Sequence, residues 1–141
     1  MKMERFDPKL ISVDEKNTLI ERINSKSKEK DLKGDIIWIP PPNKKTGYPE
    51  ILLPRNLAER FNMFSPRNPG HMLFAIKNGQ ILKKVNHDMS HLCNNKLCVN
   101  PEHLVYEPRW VNNARKNCVK EGKCTGHHVE MHNLHFDNCI F

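Results

Sequence analysis

All five cysteines of this 141-residue chain lie after residue 92, and they do not come alone. The stretch SHLCNNKLCVNPEH, residues 90–103, sets Cys93, Cys98 and His103 with four residues between each successive pair; Cys118, Cys124 and Cys139 follow, with the histidine-rich run HHVEMHNLH before the last of them. Four intervening residues let a loop turn back so that two thiolates and an imidazole approach one tetrahedral ion at about 2.0–2.3 Å. Three cysteines and a histidine make a closed four-ligand zinc site, so the second group reads as another such centre. An odd number of cysteines interleaved with histidine favours metal ligation in a reducing compartment over disulfides. Five idle buried thiols, the plain alternative, give no reason for this spacing.

Metal ligation also fits the composition. Only 38% of positions are hydrophobic, which leaves a modest core for the chain to bury, and bound zinc contributes folding free energy directly. The N-terminus MKMERFDPKL lacks the apolar stretch of a secretory signal and no run is long enough to cross a bilayer, so an intracellular protein with no membrane partner is expected, nuclear if eukaryotic. The net charge of +7 is unevenly placed: residues 35–86 hold eight basic and three acidic residues, against six of each in 87–141. A basic face is often merely solvated; it becomes a polyanion-binding surface when a second feature points to nucleic acid.

Three regions follow from the patterning. Residues 1–34 hold a short amphipathic helix over SVDEKNTLIERI (12–23), opened by Ser12 and Glu15 in capping-box spacing, and then a polar linker, SKSKEKDLKG. Residues 35–86 carry the short apolar runs IIWI and ILL, a helical turn or two in NLAERFNMF, and HMLFAIK and QILKKV on either side of Asn78-Gly79. That dipeptide is a strong hairpin signal, so a basic antiparallel sheet is expected here. From 87 onward the periodicity fades and Cys, His and Asn recur at short spacings, with one helix over PRWVNNARKN, Pro108 at its first turn. The fold class expected is α+β, an antiparallel sheet followed by a metal-organised region.

The first cysteine group is one ligand short. Candidates to complete it are His87, preferred for its proximity, His71 and, as an oxygen donor, Asp88. His91 stands apart, two residues before Cys93: taken alone it reads as a satisfied structural histidine, but a zinc loop beside it can hold an oriented imidazole for chemistry.

Taken together, SHLCNNKLCVNPEHL, an asparagine on the following helix and the later Cys, Cys, His, Cys series resemble the His-Cys box homing endonucleases, a branch of the ββα-metal (His-Me finger, HNH-like) nucleases. The resemblance covers about residues 85–141 and matches residue types in order at many positions. It implies a ββα-metal motif stapled by two structural zinc ions, with His91 as the general base. Cys93, Cys98 and His103 would ligate the first zinc; Cys118, Cys124, His127 and Cys139 the second, with His135 the rival to His127. Asn112, or its neighbour Asn113, would hold one catalytic Mg²⁺. The family completes its first zinc with a cysteine from the preceding sheet, which this chain lacks. It also places a sheet arginine near the scissile phosphate, for which Arg55, Arg60 and Arg67 are candidates.

A Mg²⁺-dependent, site-specific double-strand DNA endonuclease is therefore expected, acting as a homodimer as the family does. In such an enzyme His91 would take a proton from water, and a hard cation with few protein ligands would stabilise phosphoryl charge. Arg109, Asn112 and Lys116 fall on one helix face, and Lys77, Lys83 and Lys84 on the expected ribbon, as DNA contacts. Two rival readings are a zinc-stabilised nucleic-acid-binding protein that does not cut, and a zinc-stapled module whose basic middle meets an acidic protein. Neither needs both His91 and an asparagine at this distance from it.

Overall fold

The computed structural model describes residues 2–3, 7–30, 34–53, 55–61, 68–129 and 134–140. Across them the chain runs β1 (Lys2–Met3), α1 (Val13–Ser25), β2 (Ser27–Glu29), β3 (Ile36–Trp38), α2 (Arg55–Phe61), α3 (Pro69–Asn78), β4 (Leu82–Lys83), β5 (His87–His91), β6 (Leu104–Pro108), α4 (Arg109–Glu121), β7 (His127–Val129) and β8 (Leu134–Phe136). The strands pair as four two-stranded antiparallel sheets, β1 with β4, β2 with β3, β5 with β6 and β7 with β8, and with the helices make an α+β architecture. No helix among the described residues is long and apolar enough to cross a membrane.

Helix α1 forms where the capping box predicts it: Ser12 Oγ accepts from the Glu15 N–H and the Glu15 carboxylate accepts from the Ser12 N–H. Its buried face carries Leu19 and Ile23, which join Trp38, Ile51, Leu53, Leu57, Met72, Leu73, Ile81 and Val99 in the main apolar cluster. Within the polar run 25–34, expected as a linker, Ser27–Glu29 pairs with β3, while residues 31–33 lie outside the described residues. Lys28 and Glu29 stay exposed on this ribbon, so the sequence carries no apolar alternation to announce it.

The larger correction concerns 69–85. Instead of a hairpin about Asn78-Gly79, the run HMLFAIK belongs to α3. Asn68 Oδ1 accepts from the N–H groups of Gly70 and His71, Pro69 takes the first turn, and Gly79, at φ 98°, ends the helix with its N–H on the Ala75 carbonyl. Asn-Gly acts as a helix stop, and among the described residues of 35–86, where an antiparallel sheet was expected, the helices α2 and α3 outweigh the short strands β3 and β4. Nor does ILL form a named strand, although Ile51 and Leu53 are buried.

Downstream, β5 and β6 pair over their full length, from His87 opposite Pro108 to His91 opposite Leu104, and the cysteine loop 92–103 joins them. Helix α4 begins directly after β6, with Pro108 as its N-cap, and stops at Gly122, whose φ of 72° is left-handed. The loop is anchored from the other side by β3: the Val99 N–H donates to the Ile36 carbonyl at 2.7 Å and the Trp38 N–H to the Leu97 carbonyl at 2.9 Å. That pairing carries the residue before β3 into the cysteine loop.

Candidate functional site

That residue is Asp35. Its carboxylate, the thiols of Cys93 and Cys98 and the imidazole of His103 put one ligand atom each within 4.8 Å of all the others, and all four residues are buried. Cys98 Sγ lies 3.7 Å from His103 Nδ1, and Asp35 Oδ1 lies 3.1 Å from the same nitrogen. Zinc bonds of about 2.0–2.3 Å at tetrahedral angles imply ligand-to-ligand edges of about 3.3–3.8 Å; the Cys98–His103 edge falls in that range and the Asp35–His103 edge is slightly short of it. The two free thiols share a hydrogen bond, which lowers the pKa of Cys98 and raises that of Cys93. Gly34 makes the approach possible: it sits at φ 91°, and a Cβ there would meet His103 Nε2 at 3.3 Å. Neither His87 nor His71 joins this cluster; both line a separate cavity, together with Asp88.

The second cluster holds Cys118, Cys124, His127 and Cys139. His127 Nε2 lies 3.5 Å from Cys118 Sγ, 3.3 Å from Cys124 Sγ and 3.5 Å from Cys139 Sγ, close to the sulfur-nitrogen edge of about 3.5 Å that a Cys₃His zinc site requires. His127 is thus the histidine gathered with the three thiols; the rival His135 has a side chain outside the described residues. Arg115 braces the centre from α4. Its NH1 donates to Cys139 Sγ at 3.4 Å while Nε and NH2 make two 2.7 Å bonds to the Glu107 carboxylate of β6, a pair buried to 1–2% exposure.

His91 ends β5 and belongs to neither cluster. It is 9% exposed, hydrogen-bonds to the Cys98 backbone, and stacks on Tyr48 with ring centroids 5.7 Å apart. Burial lowers its pKa to about 4 despite that bond, so the ring is neutral near pH 7. Its neighbour Leu92 is held twice, its N–H donating to the His103 carbonyl at 2.7 Å and its carbonyl accepting from the Ile140 N–H at 2.7 Å.

A cavity of about 240 Å³ opens beside His91, lined by Tyr48, Met89, His91, Asn94, Lys96, Asn112 and Lys116. Asn112 reaches it from the first turn of α4, whereas Asn113 is exposed and is not in the lining. Through Tyr48, Met89 and Asn112 it adjoins a larger cavity of about 460 Å³ that includes Glu50, His71, His87 and Asp88. The sequence-predicted His91 and Asn112 therefore face one space.

The chain matches the family model for the zinc-binding loop region of homing endonuclease over residues 58–141. It belongs to that family. Comparison with curated proteins and with solved structures found no match. In this homing-endonuclease family member the two Cys/His clusters are compatible with structural zinc.

The expected DNA contacts are scattered. Lys116 lines the cavity, but Arg109 makes a two-point ion pair with Asp88 at 3.0 and 3.2 Å, Lys77 pairs with Glu102, and Arg55 pairs with Glu59 one turn along α2. Lys84 is exposed, and its backbone N–H donates to the Tyr106 hydroxyl at 2.8 Å. Arg67 and the side chains of Arg60 and Lys83 lie outside the described residues. Sequence reasoning missed Asp35, Tyr48 and Lys96. No local spacing ties Asp35 to the cysteine loop, and Tyr48, in a proline-rich loop, offered no signal either.

Proposed function

We propose that this chain is a metal-dependent DNA endonuclease of the homing type, in which β5, β6 and α4 form the ββα-metal unit and two zinc ions are structural. The observation that carries the reading is that His91 and Asn112, one neutral base and one oxygen ligand, line a single cavity. Asp35, Cys93, Cys98 and His103 would hold the first zinc; Cys118, Cys124, His127 and Cys139 the second. A closed ligand set suits a structural ion, while an asparagine at an open cavity suits a hard cation that keeps most of its waters.

Asn112 would hold Mg²⁺, and the chemistry that ion would supply is charge stabilisation at the phosphoryl and leaving oxygens. His91 does the proton work: its bond to the Cys98 backbone fixes one ring nitrogen, and the other accepts a proton from the attacking water. Tyr48 and burial keep the imidazole dry and in one orientation. The substrate is double-stranded DNA, and two copies acting as a homodimer would cut both strands of a near-palindromic site.

Supercoiled plasmid or a library of duplex sites, incubated with the zinc-loaded protein and Mg²⁺, tests this reading. Nicked and linear products are expected from the wild type and not from His91→Ala or Asn112→Ala. A wild type that binds DNA and leaves it intact contradicts the enzyme and leaves a zinc-stabilised binding protein.

A further inference from the structure

Lys96 sits in the cysteine loop, midway between Cys93 and Cys98, and lines the His91–Asn112 cavity. Its ammonium is fixed at two points, donating to the Thr46 carbonyl at 3.2 Å and lying 4.9 Å from the centroid of the Tyr48 ring. The same Tyr48 ring stacks on His91, so one aromatic side chain contacts both the histidine and the cation. The turn that presents it is well braced. Asn43 Oδ1 accepts from the N–H groups of Lys45 and Thr46, and Gly47 adopts φ 76°, with a Cβ there predicted to lie 3.7 Å from Lys96 Cδ.

Helix α4 contributes a second cation to the cavity, Lys116, one turn after Asn112 and on the same face. Among the described residues no carboxylate lines this cavity and neither lysine is in an ion pair. The neighbouring cations differ: Lys77, Arg109 and Arg115 are each matched with an acid. An ammonium carries three donors, so Lys96 keeps capacity beyond its bond to Thr46. Two such ammonium groups beside an imidazole and a side-chain amide are suited to a single anionic group rather than to a base edge or an apolar ligand.

We propose that Lys96 and Lys116 bind the scissile backbone phosphate, from the loop and from the helix, and that Tyr48 is the positioning residue that keeps Lys96 in register with His91. This rests on the nuclease reading above. None of the arginines whose side chains are described lines the cavity, so its described cations are these two lysines. As negative charge grows on the phosphoryl oxygens, the two ammonium groups stabilise it without any proton leaving them.

The test uses the zinc-loaded full chain, with fold and zinc content checked for each variant. Binding of a mixed-sequence duplex is measured in Ca²⁺ across a salt series, and nicking of supercoiled plasmid is measured in Mg²⁺. Lys96→Met and Lys116→Met are each expected to reduce the salt slope by about one and to slow nicking about tenfold or more, while Lys9→Met, away from the cavity, removes the same charge without either effect. Lys96→Arg should restore most of the rate. Tyr48→Leu should lower kcat with little change in affinity, and Tyr48→Phe should retain it. Wild-type slope and rate in both lysine variants overturn the phosphate contacts, and equal kcat in Tyr48→Leu and Tyr48→Phe overturns the positioning role. If the wild type binds duplex without nicking plasmid, the nuclease reading falls and the salt slopes alone decide whether the lysines meet a phosphate. No duplex binding by the wild type overturns both.

Discussion

The Ile140 N–H donates to the Leu92 carbonyl at 2.7 Å, joining the segment that carries Cys139 to the residue beside His91. Because the Leu92 N–H is bound in turn to the His103 carbonyl, both Cys/His clusters hold the strand end that bears the proposed base. Loss of the second ion should then be felt at His91, although no ligand of that cluster lines its cavity.

Cys124→Ser tests this coupling. Zinc content should fall by one ion per chain, and plasmid nicking should drop about a hundredfold, since a displacement of about 1 Å at a reacting group costs on that order. Nicking that survives at the wild-type rate with one zinc bound would mean that the second cluster does not act on His91.

The buried Glu107–Arg115 pair should be costly to break from one side. Glu107→Gln or Arg115→Met leaves its partner desolvated and imperfectly matched, and urea unfolding should register a loss of about 3–5 kcal/mol. The double change Glu107→Leu/Arg115→Met removes both charges and should cost less than the two single changes together. Arg115→Met should also speed zinc release from the second cluster, because its bond to Cys139 Sγ is lost.

Asp35 makes the first centre harder in donor character than the second. Under mild chelation the first zinc should leave before the second, followed by a colorimetric zinc indicator. Asp35→Cys should slow that release and Asp35→Asn should speed it. Chelation just sufficient to remove Mg²⁺ should stop cutting while the circular dichroism spectrum is unchanged. Fold and cutting lost together at every chelator level would contradict the division between structural and catalytic ions.

Acid should weaken the fold through His91. Its folded pKa of about 4 lies below the ordinary value of 6.5, so below pH 6.5 the unfolded chain takes up a proton that the folded chain refuses. Stability is therefore complete above pH 6.5 and declines as pH falls toward 4, by about 3 kcal/mol from this group. His91→Gln should unfold less steeply with acid than the wild type over this window. Acid release of zinc acts on both proteins, so the difference between the two curves isolates His91. NMR should show the His91 ring still neutral at pH 5.

Much of the candidate site was legible because its signals are local. Cys93, Cys98 and His103 lie within one loop, and Ser12 with Glu15 writes a helix start in four residues. Asp35 was not legible, since it reaches His103 only through the pairing of β3 with residues 97–99, some sixty positions away. Helix α3 was misread because an apolar run of seven residues suits a buried helix as well as a strand, and glycine at positive φ ends one as readily as it turns the other. Asn68-Pro69 was the overlooked signal: an N-cap followed by proline at the first turn.

Mg²⁺-dependent cleavage of supercoiled plasmid by protein carrying two zinc ions per chain, set beside His91→Ala and Asn112→Ala with the same zinc content, tests the proposed pairing of these residues most directly. Nicked and linear plasmid should form with the wild type, and the rate should fall by about 10²–10⁴-fold for His91→Ala, the range that a general base contributes. Cleavage by His91→Ala at the wild-type rate, or plasmid bound but left intact by the wild type, would contradict it.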